Sequence, residues 1–170
     1  MKRKGRNLFW LIGAFLLGGC GGQFDDQGRE RGMVTESRSM ANLNWLRTED
    51  RIDPALWLAS KEASAPSFPS PEAVARIRNA LAEANDRFLE TPRMIANRTA
   101  QLSNMLALDG QKESHADLIE SLAKIAEGSK GKLEYSDLCQ QYYNLRHKGV
   151  DKAAARATLT SKYQAFIRKP

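Results

Sequence analysis

Ser70-Pro71-Glu72-Ala73-Val74-Ala75-Arg76-Ile77-Arg78-Asn79-Ala80-Leu81-Ala82-Glu83-Ala84-Asn85-Asp86-Arg87-Phe88 is the stretch whose reading decides the fold. Val74, Ile77, Leu81, Ala84 and Phe88 recur at spacings of three and four, which places them along one side of an α-helix. Arg76, Arg78, Glu83, Asp86 and Arg87 take the remaining faces. Ser70 can accept from the free amides of the first turn, and Pro71 suits the first helical position because it has no N–H to leave unpaired.

The same pattern extends to the C-terminus. Thr91-Pro92 ends this helix and starts the next, with a stripe of Ile95, Thr99, Leu102 and Met105-Leu106 up to Asp109-Gly110. Ser114-x-x-Asp117 has the form of a capping box, followed by Leu118, Leu122, Ile125 and Ala126 and stopped by Gly128. After the flexible loop Gly128 to Lys132, Leu138, Tyr142 and Leu145 mark a helix that ends at Gly149, with Val150 placed to fold back on it. Asp151 caps a last helix carrying Ala155, Leu159, Tyr163 and Phe166-Ile167. No segment shows sustained strand alternation, and the loops are short. The fold class is all-α: a bundle of about five helices over residues 71–170.

Upstream, Ser64 to Pro71 holds three prolines, and residues 64–70 read as an extended hinge. Before it, residues 36–63 read as a short helical arm. Met40, Leu43 and Leu46 fall at helical spacing in a helix expected over Glu36 to Glu49, and Asp53-Pro54 opens a second helix with Leu56, Trp57 and Leu58. Whether the arm packs on the bundle is open at this level. Residues 20–35 carry several glycines and alternating charges, too little apolar surface to order, and read as a tether of roughly 20 Å reach.

The first residues have a different character. Lys2 to Arg6 are basic, Leu8 to Leu17 are apolar, and Gly18 and Gly19 are small, the three parts of an export signal. A membrane-spanning helix needs about 20 apolar residues, and this run is too short for one. The ending Leu17-Gly18-Gly19-Cys20 resembles the lipobox of bacterial lipoproteins, which has an aliphatic residue three before the cysteine and small residues between. The resemblance implies that residues 1–19 are a signal peptide cleaved between Gly19 and Cys20. It further implies that the Cys20 thiol accepts a diacylglyceryl group and its freed amine an acyl chain such as palmitate. Several acyl chains anchor a protein stably where one is marginal. In that family an Asp after the cysteine favours inner-membrane retention; Gly21 stands there, so the resemblance points to the outer membrane, facing the periplasm.

This changes how composition is read. The chain carries 26 Lys and Arg against 20 Asp and Glu, a formal net charge of +6. Removal of Lys2, Arg3, Lys4 and Arg6 leaves 22 basic residues and a charge near +2. That lacks the basic face of a nucleic-acid binder. With Cys20 acylated, Cys139 has no partner within the chain, and burial is its expected state.

No metal site, cofactor or catalytic constellation is expected. His115 and His147 have no second ligand at metal-binding spacing and read as structural or surface residues. The acidic pairs Asp25-Asp26 and Glu49-Asp50 read as solvated. In Gln140-Gln141-Tyr142-Tyr143, one tyrosine is expected to pack and the other to be exposed. Trp45 and Trp57 lie outside the clearest bundle, and tryptophan is enriched in binding hot spots, so both are candidates for partner docking.

The sequence therefore predicts a non-enzymatic lipoprotein whose helical domain binds an envelope protein. An accessory or assembly factor of a secretion, conjugation or pilus system fits, a layout shared with small pilot-type lipoproteins. The alternative is an envelope enzyme or a binder of cell-wall or lipid ligands.

Overall fold

The computed structural model describes residues 39–63 and 68–167, with side chains as far as Gln164. The stretches expected to be signal peptide, lipobox and tether, with Cys20, all lie outside the described residues. So do the start of the arm and part of the proline-rich hinge.

Among the described residues, after a helical stretch at 39–42, six helices follow one another: α1 (Pro54–Glu62), α2 (Pro71–Arg87), α3 (Pro92–Leu108), α4 (His115–Ile125), α5 (Tyr135–His147) and α6 (Lys152–Ile167). No strand occurs among the described residues, and the all-α assignment holds. The expected caps form. The side chains of Asp53, Ser70, Thr91 and Ser114 each accept from an amide two or three residues ahead. Asp151 takes the amides of Ala153 and Ala154, each at 2.9 Å. Gly149 has a φ of 82°, a left-handed conformation that only glycine adopts freely. That turn lets the Val150 amide return to the Leu145 carbonyl at 3.1 Å, and Val150 packs against the core.

The apolar stripes become the core. Val74, Ile77, Leu81, Ala84 and Phe88 are all buried, as are Ile95, Thr99, Leu102 and Leu106 of α3. Met105 departs from the expected stripe: it is only partly buried and faces the outer side of α3. Leu118, Leu122 and Ile125 come from α4, Leu138 and Tyr142 from α5, and Ala155 and Leu159 from α6. The closest packing is between alternate helices, α2 on α4 and α3 on α5. The connection after α4 makes this arrangement. Leu133 exchanges backbone hydrogen bonds with Arg87 and Leu89, each at 3.0 Å. The start of α5 is thereby pinned to the junction of α2 and α3. Phe88 and Tyr135 then meet edge-on, with ring centroids 5.0 Å apart.

Two expectations about the arm need correction. First, the helix expected over Glu36 to Glu49 persists, within the described residues, only at 39–42; residues 43–53 are irregular. The cause is tertiary. Asn97, buried on α3, accepts from the Leu46 amide at 2.8 Å through Oδ1 and donates Nδ2 to the Leu46 carbonyl at 2.9 Å. A helical Leu46 would spend those groups within its own turns. Instead Leu46 is pressed into the core, 1% exposed. Asn97→Ala is expected to leave the buried Leu46 amide unpaired and its carbonyl with Arg93 alone, and to cost about 2 kcal/mol, read as a lowered urea midpoint. Second, Trp57, a candidate for partner docking, does not lie at the surface. It is completely buried, and its indole Nε1 donates to the Leu43 carbonyl at 3.2 Å. α1 packs against α2, and also against α3 and α4, so the arm is part of the domain.

Candidate functional site

The titratable groups that sequence reading singled out serve the packing. His115 opens α4 and is buried, with Nδ1 3.1 Å from the Leu58 carbonyl and 3.2 Å from the Glu62 carboxylate. The same carboxylate accepts from the His115 backbone amide. Burial pushes the imidazole pKa down, more strongly than Glu62 raises it. His147 is exposed and pairs with Asp109 at 2.8 Å. Cys139 is buried, and burial raises its thiol well above the ordinary range, so it is held as a thiol. Tyr142 is buried and donates to Glu113 at 2.7 Å, whereas Tyr143 is partly exposed, as the four-residue run suggested.

Glu113 was not anticipated. Its side chain is almost fully enclosed and lies 3.3 Å from Arg146, 3.2 Å from Lys152 and 3.7 Å from Arg156. This network ties the start of α4 to α5 and α6, with one carboxylate shared by three cations. Glu90 was also missed. It lies in the turn before α3, yet it caps α5. Its carboxylate accepts from the amides of Tyr135 and Ser136 and from the Ser136 hydroxyl, each at 2.9 Å. No signal near residue 90 reveals a role 45 positions away. No group of His, Cys, Asp and Glu able to hold a metal occurs among the described residues. None of the described helices is long and apolar enough to cross a membrane.

Two concavities remain. One, of about 650 Å³, lies between α4 and α6 and carries charges of both signs, among them Glu120, Lys124, Glu127 and Arg156. The other, of about 80 Å³, lies between α3 and α5 and is lined by Arg98, Gln101, Met105, Cys139, Gln140 and Tyr143. Small-molecule sites run to about 300 Å³ or more, so the second is sized for a single side chain. It belongs to a longer surface. Met94, Arg98, Gln101, Met105 and Leu108 follow one another at spacings of four and three on the outer side of α3. Met94 is 42% and Leu108 89% exposed. Trp45, at 44% exposure, closes one end, with the Arg98 guanidinium 5.6 Å from its ring centroid. Of the two tryptophans proposed for docking, Trp45 alone remains at the surface.

Neither a curated protein nor a solved structure matches this chain. The model of one protein family, MoxZ, matches residues 55–164. The matched segment begins inside α1 and runs nearly to the end of α6, so it covers the packed unit with Trp57 included. The chain belongs to the MoxZ family.

Proposed function

We propose that this MoxZ-family chain is a membrane-anchored lipoprotein whose helical domain binds an envelope protein and acts without catalysis of its own. The observation that carries the reading is Leu17-Gly18-Gly19-Cys20, set directly behind the basic residues Lys2 to Arg6 and the apolar run Leu8 to Leu17. The thiol at the end of such a segment is the acyl acceptor, and Gly21 after it favours the outer membrane facing the periplasm. The domain supports the reading by how it uses its reactive groups. His115 and Cys139 are enclosed, His147 sits in a surface pair, and the outer stripe of α3 sets Met94, Met105 and Leu108 in line with Arg98 and Gln101, with Trp45 beside Arg98. Trp, Tyr and Arg dominate binding hot spots, and Met suits adaptable binding surfaces.

A second reading, a binder of a small envelope ligand, draws on the larger concavity between α4 and α6. It predicts saturable ligand binding that Arg156 and Lys124 substitutions weaken.

The test is affinity isolation of the tagged full-length chain from detergent-solubilised membranes, beside Cys20→Ala. The expected result is stoichiometric recovery of one envelope protein with the wild type and its loss from the membrane fraction with Cys20→Ala. Unchanged membrane partition of Cys20→Ala would sink the anchor, and repeated isolation of the chain alone would sink the binding role.

A further inference from the structure

We infer that the α3–α5 face captures an amphipathic helix of the partner protein. One apolar side chain of that helix would fill the groove beside Met105, and one of its carboxylates would meet Arg98. The inference rests on the protein-binding reading and names its surface and the chemistry of its occupant.

The first argument is the double patterning of α3. Its inner stripe, Ile95, Thr99, Leu102 and Leu106, is covered by the core. Its outer stripe, Met94, Arg98, Gln101, Met105 and Leu108, has the same helical period, and its apolar members are left partly or largely exposed. Singly scattered surface apolar residues are ordinary, but here Met94, Met105 and Leu108 fall on one helical line with Arg98 and Gln101 between the first two, a mixed ridge that an amphipathic helix can match. Recognition of a helix in a groove reads anchors at such spacings. The floor between α3 and α5 is concave and sized for one side chain, which suits a helix and not a flat bilayer surface.

The second argument is charge. Arg47, Arg76, Arg78, Arg87, Arg146 and Arg156 all have a carboxylate within ion-pair distance. Arg51, Arg93 and Arg98 have none among the described residues, and the last two stand on α3. Arg93 donates to the Leu46 carbonyl at 3.0 Å, and Arg98 to Gln101 at 2.9 Å. α3 itself contains no acidic residue, and none lines the groove. On α5, Asp137 falls one turn before Gln141, which bonds Tyr163 of α6 at 2.8 Å, and so belongs to the other side. Asp109, at the far end of the stripe, is taken by His147. The face therefore joins the apolar Met94, Met105 and Leu108 to Arg98, which has no carboxylate partner among the described residues, the complement of an amphipathic helix bearing an acid. Docking would let Arg98 exchange its neutral Gln101 contact for a charge-assisted one.

The test uses the full-length chain in its native membranes, with a photo-crosslinking residue placed at Gln101 and, separately, at Ala82 on α2. The expected result is an adduct from position 101 that maps to a partner segment with apolar residues at helical spacing and an Asp or Glu among them. Arg98→Glu should cut its yield about tenfold, the scale of one lost charge-assisted contact, and reversing the partner's acid to Lys should restore it. Gln101→Glu, with the crosslinker moved to Met105, should cut the yield too while leaving the Arg98–Trp45 contact in place. An adduct to lipid, to a second copy of the chain, or to a segment indifferent to Arg98→Glu overturns the inference. Adducts from position 82 alone overturn it while leaving the protein-binding reading intact. No protein adduct from either position contradicts both.

Discussion

Trp57→Ala is expected to destabilise the domain by about 3–5 kcal/mol, a large share of the about 5–15 kcal/mol total stability that is usual for a domain. The indole is fully enclosed among α1, its neighbours in the core and the irregular segment before it. Its N–H holds the Leu43 carbonyl, and the Ser60 hydroxyl donates back to the Trp57 carbonyl at 2.7 Å. Lys61 lies over the ring at 4.8 Å. Truncation to Ala removes the largest fully buried side chain and orphans the carbonyl that anchors the arm. Trp57→Phe, which keeps most of the volume and loses the N–H, should cost about 1–2 kcal/mol. Trp45→Ala, at the surface, should change stability by less than about 0.5 kcal/mol and act on partner capture instead. Urea denaturation followed by circular dichroism separates the three. Equal losses at Trp45 and Trp57 would contradict the placement of α1 inside the domain.

Glu90→Ala should cost about 3 kcal/mol, from the amides and hydroxyl left without an acceptor and from the charge removed at the start of α5. Glu134, the residue before α5, gives that helix no side-chain cap, so Glu90 is its only side-chain cap among the described residues. The pH dependence follows from the same geometry. Burial pushes the Glu90 carboxyl up, but the Ser136 and Tyr135 amides and the Ser136 hydroxyl outweigh it, and the pKa lies below the ordinary carboxylate value. A lowered carboxyl pKa gives stability that is complete above the unfolded value, about 4.3, and is lost as pH falls through the folded value. The gap between wild type and Glu90→Gln should therefore narrow below about pH 4. His115 acts in the same direction over a higher window. Its imidazole is buried with a lowered pKa, so the unfolded chain takes up the proton first. Stability should begin to fall as pH drops below about 6.5, and His115→Gln should flatten that part of the profile. A wild-type profile flat from pH 7 to 5 would contradict the His115 assignment, and a gap between wild type and Glu90→Gln that does not narrow below about pH 4 would contradict the Glu90 one.

The parts of this fold legible in the sequence are those set by neighbours in the chain. The Val74 to Phe88 stripe, the caps at Ser70, Thr91, Ser114 and Asp151, and the glycine stops all depend on residues within five positions. What escaped depends on distant ones. Residues 43–53 carry a helical spacing, yet the Leu46 backbone is claimed by an asparagine 51 positions away. The cap of α5 comes from 45 positions upstream, and the pairing of α2 with α4 and α3 with α5 follows from the turn at Leu133. Trp57 resembled a docking residue because it preceded the prolines, and proximity to a linker says nothing of burial. The α3 surface was readable in principle, since 94, 98, 101, 105 and 108 repeat as regularly as 95, 99, 102 and 106. Period alone does not say which of two stripes the core takes. Met105 and Leu106, adjacent in sequence, went to opposite sides.

The proposed function places a helical binding domain at a membrane, held by lipid on Cys20. Mass analysis of the N-terminal peptide of the chain extracted from membranes tests this most directly. The predicted result is a peptide that begins at Cys20 and carries a diacylglyceryl thioether and an acylated amine, with residues 1–19 gone. A membrane-extracted chain that retains residues 1–19, or whose Cys20 is a free thiol, would contradict it.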